Sequence, residues 1–186
     1  MITKSGIYRL IRPPATLTVA WTTTDLESGI ASATGCATQT HTANTTGTTF
    51  TCSATNGAGL STSVPVTIKI DKSAPLISGM PGVGCNLWPP NHKMVQVATV
   101  TTADLASGIA PGTFAVTGLS NEPSDPNDPD VVIAPNGAGG FVVRLRAERL
   151  GTGTGRIYSL TATAKDLAGN TVTALSTCTV PLDQGQ

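Results

Sequence analysis

The residue types that most often do chemistry are few in this chain and stand far apart. Its 186 residues include four cysteines, Cys36, Cys52, Cys85 and Cys178, whose thiols could form disulfides, bind zinc or act as nucleophiles. No two cysteines have the close spacing of a zinc site, and neither histidine is placed to complete one. The even cysteine number favours disulfides, and pairing Cys36 with Cys52 and Cys85 with Cys178 is the most economical of three arrangements.

The sequence NEPSDPNDPD at residues 121–130, called the acidic segment below, is the densest group of oxygen-bearing side chains. Oxygens at alternate positions could bind Ca²⁺, which takes six to eight of them. The segment has no bidentate glutamate at the right distance and no glycine for a tight wrap, and Asp-Pro repeats also form solvated turns without metal. The sequence thus predicts no cofactor other than Ca²⁺, for which Glu122, Asp125, Asn127, Asp128 and Asp130 are the candidate ligands.

The string CNLWPPNHKM at residues 85–94 offers a second candidate site. Trp88, His92 and Lys93 could form a small ligand platform, or the string could be a proline-stiffened edge loop whose tryptophan closes the end of a sandwich. No nucleophile or base accompanies either histidine by motif, so no catalytic residue and no enzymatic activity are predicted. Asn44 begins an Asn-Thr-Thr sequon, a three-residue match that is frequent by chance.

Two sequence repeats show how these residues are arranged. TTTDLESGIAS at residues 22–32 returns as TTADLASGIAP 79 positions later, and FTCSATNGAGLST at residues 50–62 is matched by LTATAKDLAGNTV 110 positions later. The repeats predict a duplicated domain, and the difference between the two offsets places an insertion near residues 119–155 of the second copy. We predict an arm at residues 1–14, domains at residues 15–72 and 83–186, and a linker at residues 73–82.

Apolar and hydroxyl residues alternate along most of the chain. Val64, Val66, Ile68 and Ile70, for example, alternate with polar residues and proline, and clusters of Gly, Asn, Asp and Pro separate such runs. This two-residue period predicts short antiparallel strands with one wet face, and no segment keeps a helical period. The fold class is therefore all-β, with two tandem β-sandwich domains.

The chain carries 11 basic and 11 acidic side chains, which make up 12% of its residues. The neutral balance gives no electrostatic footprint for nucleic acid or an anionic membrane, and no apolar run approaches the length of a membrane span. Low charge, many hydroxyls and paired cysteines indicate a secreted or cell-surface protein. The first residues make a poor signal peptide, so we expect that the sequence either lacks its secretion signal or is a fragment of a longer chain.

Several strings resemble bacterial immunoglobulin-like (Ig-like) repeats. FTCSATNGAGLS and VTIKIDKSAP are similar to repeats of large secreted and surface proteins, and CNLWPPNHKM and CTVPLDQGQ are similar to a related module near the ends of such proteins. The resemblance implies Ig-like antiparallel sandwiches that act as a stalk, spacer or adhesive unit. It implies no catalytic residues.

The arm at residues 1–14 departs from this resemblance. Its apolar residues Ile7, Tyr8, Leu10 and Ile11 could form the first strand of their own domain or complete a sheet edge on a neighbouring copy. Strand donation would produce head-to-tail self-association and a filament. The sequence thus predicts a structural protein, either a surface stalk or a fibre subunit, with a glycan- or protein-binding adhesion module as the alternative.

Overall fold

The computed structural model describes residues 2–5, 16–151 and 153–183, and the first four of these by backbone alone. The described residues form strands and turns without any helix, and none of them could therefore form a membrane-spanning helix. The strands are β1 Ile2–Ser5, β2 Leu17–Thr23, β3 Ile30–Thr34, β4 Gln39–His41, β5 Thr45–Asn56, β6 Ser61–Ile70, β7 Leu76–Ser78, β8 Cys85–Asn86, β9 Met94–Ala103, β10 Ala115–Ser120, β11 Val131–Pro135, β12 Phe141–Arg146, β13 Arg156–Lys165 and β14 Thr171–Val180.

The chain divides into two compact units. The first comprises Met1–Ser73 with Leu167–Asn170, and the second comprises Ala74–Asp166 with Thr171–Gln186. The boundary therefore falls at the start of the segment predicted as a linker, residues 73–82. That segment also contains β7, which pairs with β9 as an edge strand of the second unit.

The first unit contains two three-stranded sheets, in the orders β1-β2-β4 and β3-β5-β6. Its core consists of inward-facing β-branched residues, which pack well on a pleated surface. The buried members are Val19, Val66, Ile68 and Ile70, with Leu17, Trp21 and Phe50 packed against them.

The second unit contains two four-stranded sheets, in the orders β11-β12-β9-β7 and β10-β13-β14-β8. Its core is larger and draws on both sheets, with Val100, Val143 and Leu145 from one and Tyr158 and Leu160 from the other. Each of these side chains is essentially inaccessible to solvent. The greater burial follows from the extra strands.

The strand pairings are equivalent in the two units, at the positions that the sequence repeats relate to each other. In the first unit β2 pairs with β1 and β4, and β5 pairs with β3 and β6; in the second, β9 pairs with β7 and β12, and β13 pairs with β10 and β14. Only β8 and β11 have no counterpart among the described strands. The insertion thus contributes the acidic segment and β11.

Burial follows the predicted two-residue period. Tyr158, Leu160, Ala162 and Ala164 of β13 are buried, while the residues between them are more accessible. On the outer face of the first unit, hydroxyls bond to each other across strands: Thr49 with Thr67 at 2.7 Å, Ser53 with Ser63 at 2.6 Å, and Thr55 with Ser61 at 2.8 Å. These pairs stabilise neighbouring strands on the wet side.

Both predicted disulfides are confirmed. Cys36 is bonded to Cys52 and Cys85 to Cys178, with Cα–Cα distances of 4.5 Å and 4.6 Å. The second joins β8 to β14 inside one sheet, because Cys85 and Cys178 are register partners in the parallel pair that these strands form. It therefore fixes a sheet edge rather than linking the two sheets.

A turn glycine beside the first disulfide provides a stability test. Gly35 has φ +70°, and a Cβ there would lie 2.2 Å from the carbonyl oxygen of Thr51, whereas Gly59, with φ +85°, has open space around it. We expect Gly35→Ala to destabilise the first unit by more than about 2 kcal/mol, since backbone strain and a clash add. Gly59→Ala adds strain alone and should cost about 1 kcal/mol. Chemical denaturation of both variants compares them, and equal losses would contradict the clash.

Candidate functional site

The acidic segment leaves β10 and returns to β11 through turns stabilised by its own polar atoms. The Asp125 carboxylate accepts a hydrogen bond from the backbone amide of Asn127 at 2.8 Å. The Asp125 backbone carbonyl accepts one from the amide of Asp128 at 3.1 Å. Asp130 donates its backbone amide to the Ser124 hydroxyl at 3.2 Å. The segment therefore has a defined shape, and its prolines fit that shape because they need no amide partner.

Arg156, the first residue of β13, lies under the acidic segment and binds two of its carboxylates. Its Nε donates to Glu122 at 3.0 Å, and its NH1 forms an ion pair with Asp130. The Arg156 and Asp130 residues are only 2% and 4% exposed. A buried charge is tolerated when it is paired and hydrogen-bonded, which is the case here.

Tyr158 completes this buried cluster. Its hydroxyl donates to the carbonyl of Arg146 at 2.8 Å and accepts from Arg156 at 3.4 Å, and the guanidinium lies 5.8 Å from its ring centre. Burial raises the pKa of Tyr158. Burial is also the strongest influence on Arg156 and works against its charge, but the hydrogen bonds that Arg156 donates to Tyr158, Asp130 and Glu122 together raise its pKa above the ordinary value. Arg156 stays a cation at every accessible pH.

Arg146, the last residue of β12, holds the outer part of the same segment. It forms an ion pair with Asp128, its Nε lies 3.6 Å from an Asp130 oxygen, and its NH2 donates to the Pro129 carbonyl at 3.3 Å. On its other side, NH1 donates to the carbonyl of His92 at 3.0 Å. Arg146 therefore links the acidic segment to the loop after β8.

This arrangement bears on the calcium prediction. The carboxylates of Glu122, Asp128 and Asp130 face guanidinium groups, and no three carboxylates of this fully described segment approach one another at ligating distance. A calcium ion here would compete with two arginines for Glu122, Asp128 and Asp130, and with the Asn127 amide for the Asp125 carboxylate. Calcium binding stays a prediction. The guanidinium groups of Arg146 and Arg156 already balance the charge of these carboxylates.

The proposed ligand platform is exposed. Trp88, His92 and Lys93 are all accessible to solvent, and His92 has φ 63°, a left-handed conformation that is uncommon for a residue with a side chain. The structure adds Glu148, whose carboxylate lies 2.9 Å from His92 Nδ1. Sequence reasoning missed this partner because Glu148 is 56 residues away from His92.

The sequon residue Asn44 is engaged in the fold. Its side-chain Oδ1 accepts a hydrogen bond from the backbone amide of Lys72 at 3.0 Å, and its Nδ2 donates one to the Ser73 hydroxyl at 2.7 Å. The nitrogen that would carry a glycan is therefore already a donor in a contact that fixes the end of the first unit. Glycosylation of Asn44 stays a prediction that would require this contact to rearrange.

The repeated Asp of the two similar strings has the same role in both units. Asp25 accepts from the Ser28 amide at 2.8 Å, and Asp104 accepts from the amides of Ser107 and Gly108, each at 2.8 Å. A carboxylate that bonds nearby amides fixes a tight turn. The eleven-letter repeat is thus explained by a turn of the fold.

Asp25 gives a pH prediction. Hydrogen bonds from the Ser28 amide and the Asn56 side chain lower its pKa to about 2. Because this pKa lies below its unfolded value of 3.8, the contribution of Asp25 to stability is present above pH 4 and lost as pH falls through about 2. NMR titration should give that midpoint, and Asn56→Ala should raise it. A midpoint near 4 in the unaltered protein would contradict the prediction.

The predicted donor-strand residues, Ile7, Tyr8, Leu10 and Ile11, lie outside the described residues. The described part of the arm, Ile2–Ser5, pairs antiparallel with β2 of the same chain, where Ile2 is opposite Thr23. This strand occupies the place that β7 occupies beside β9.

Comparison with known proteins bears on the fold. No family model and no curated protein matches the chain. Among solved structures, the protocadherin gammaB4 extracellular domain is 11% identical, with a TM-score of 0.50, 94% of this chain covered and 30% of that one. The protocadherin gammaB7 EC3-6 cis-dimer structure is 14% identical, with a TM-score of 0.50, 96% of this chain covered and 47% of that one. The chain has an Ig-like β-sandwich fold. It spans less than half the length of these cadherin chains, and cadherin domains share the sandwich architecture with immunoglobulins without sequence similarity.

Proposed function

We propose that the chain is a non-enzymatic extracellular structural protein, a stalk or spacer built from two Ig-like units. The observation that carries this proposal is that all four cysteines form disulfides, each within its own unit. Disulfides form and persist in secreted and surface proteins and are rare in reducing compartments. Cys52 and Cys178 are fully buried, so they serve the fold rather than a redox reaction.

Side-chain hydrogen bonds near the end of each unit support a role under mechanical tension. Arg149 donates to the carbonyls of Pro181 and Leu182, each at 2.9 Å, where the chain leaves the second unit. Asn44 holds Lys72 and Ser73 in the same way at the end of the first. Both units thus fix the outgoing chain with side-chain hydrogen bonds, which suits a spacer under tension.

A self-assembling fibre subunit is a narrower form of this proposal. It requires head-to-tail self-association, for which the arm would leave its own unit. Because Ile2–Ser5 pairs with β2 of the same chain, we favour the stalk and expect a monomer. Light scattering of the full chain and of a variant without residues 1–12 distinguishes the two roles. Polymers that form only with the arm present would establish the fibre.

An adhesion module that binds glycans or surface proteins is the second candidate. It is favoured by Trp88, which is 39% exposed beside the His92–Glu148 pair. A flat exposed indole suits stacking against a sugar ring or another side chain. A glycan array with the full chain and Trp88→Ala tests this role, with Arg144→Ala as an exposed control. Binding lost only with Trp88 would favour adhesion over the stalk.

The extracellular assignment has its own test. Protein taken from its source cells under acid quench, without reductant, should react with no thiol reagent, and its mass should show two disulfides. Labelling after unfolding and reduction should reveal four thiols. Four reactive thiols in the unreduced but unfolded protein would place the chain in a reducing compartment and overturn the proposal.

A further inference from the structure

We propose that the Cys85–Cys178 disulfide makes the second unit nearly inextensible, so that the first unit alone lengthens when the chain is pulled from its ends. The proposal deepens the stalk function and rests on it for its biological meaning. It follows from where the bond lies along the chain. Cys85 and Cys178 are 93 positions apart, near the two ends of the second unit.

The disulfide provides a covalent route for tension around the core. Force entering at Ala74 reaches Cys85, crosses the sulfur–sulfur bond to Cys178 and leaves along the last residues. The enclosed strands, β9 to β13 with most of β14, have both ends held by the same bond and carry no tension. Outside the bond lie the stretch from Ala74 to Cys85, which can be drawn out to about 40 Å at full extension, and the residues that follow Cys178.

The strands around the bond resist sliding. β8 and β14 are parallel, with Cys85 opposite Cys178 and Asn86 opposite Thr179, and the Leu87 amide donates to the Thr179 carbonyl at 2.8 Å. Thr179 follows Cys178 on the path of the force, whereas Asn86 and Leu87 belong to the enclosed loop. Their contacts must therefore break before the residues after Cys178 can be drawn out.

The first unit has no such route. Its disulfide spans only 16 positions, from Cys36 to Cys52, and every strand pair among its described residues is antiparallel. Between Leu17 and Ile70, about 37 residue spacings lie outside the disulfide, which is about 130 Å at full extension. The first unit is therefore the extensible element.

This asymmetry gives the two units different roles under load. The second unit carries the acidic segment, its arginines and the exposed Trp88, and these would keep their geometry while the chain is stretched. The first unit, with a smaller core of four buried apolar residues, would lengthen first. Under force, the first unit would extend while the second unit kept its fold and its exposed surface.

Single-molecule force spectroscopy of the full chain between marker domains tests the proposal. We expect one step of about 130 Å or somewhat more from the first unit, and no step above about 200 Å. Cys85→Ala with Cys178→Ala should add a step of about 320 Å. The matched control, Cys36→Ala with Cys52→Ala, should lengthen the first step by about 55 Å and add none.

A second measurement covers the case in which the Cys85/Cys178 variant does not fold. The unaltered chain is held at constant force after its first step, and a phosphine is added; it becomes phosphine oxide with oxygen from water as the disulfide becomes two thiols. An abrupt extension of about 320 Å should follow. A step of this size before reductant, with both disulfides verified by mass, would overturn the proposal, as would no such extension after reduction. The stalk function fails separately, through the thiol-labelling test.

Discussion

Replacing Cys85 and Cys178 by Ala is expected to lower the free energy of unfolding of the second unit by about 4–5 kcal/mol. The bond closes a loop of 93 positions, and a cross-link of this length restricts the unfolded chain strongly. Removing Cys36 and Cys52, which close a loop of 16, should cost the first unit about 3 kcal/mol. Backbone hydrogen exchange, read separately for each unit during denaturant titration, measures both values.

The order of these two losses is the sharper part of the prediction. The longer loop must cost more if the disulfides act mainly on the unfolded state. If the Cys36/Cys52 variant loses more stability than the Cys85/Cys178 variant, the entropic account fails for this protein. Local strain or packing around Cys52 would then dominate.

Arg156→Met is expected to destabilise the second unit by about 3–5 kcal/mol, because it leaves the Glu122 carboxylate without its ion-pair partner and leaves Asp130 with Arg146 alone, 3.6 Å away. Glu122 and Asp130 are both paired with Arg156, and Asp130 is buried. Arg144→Met is the matched control, since Arg144 is an exposed arginine of β12 whose guanidinium donates to the Gln96 side chain at 3.5 Å and binds no carboxylate of the described residues. The control should lose less than about 1 kcal/mol. Urea denaturation of both variants gives the comparison.

Neutral substitutions separate an electrostatic loss from a packing loss. Adding Glu122→Gln and Asp130→Asn to Arg156→Met removes the two carboxylates that lose this partner, so the triple variant should recover stability at pH 7. A triple variant that is as unstable as Arg156→Met would instead point to lost side-chain packing.

Much of the fold was predictable because alternation and repetition are local properties of the sequence. The buried positions of β6 and β13 follow the two-residue period, and the equivalent pairings of the two units follow from the 79- and 110-residue offsets. The disulfide pairing was also predictable, because the duplication places one cysteine pair in each copy. Strand β8 was not predictable from the sequence, because its parallel pairing with β14 joins residues that are far apart along the chain.

The site was less predictable than the fold. Arg146 has the outward phase of its strand, which predicts a solvated side chain, but the acidic segment covers it and holds its guanidinium. Arg156 shares the inward phase of Tyr158 and Leu160, but an arginine is not expected to be buried unless it is paired, and its partners lie more than 25 positions away in sequence. The abundance of arginine between residues 144 and 156 was the available signal, because a run of acidic residues needs nearby counter-charges when it is packed against a core.

The hydroxyl pairs on the outer face of the first unit have a consequence for how the protein behaves in different media. Thr49 with Thr67, and Ser53 with Ser63, already satisfy part of each other's hydrogen bonding and carry no charge. Dissolved ions screen charges but have no comparable effect on neutral hydroxyls. The contribution of these pairs therefore depends neither on ionic strength nor on acidity, and it would be the same in brackish, fresh or saline surroundings.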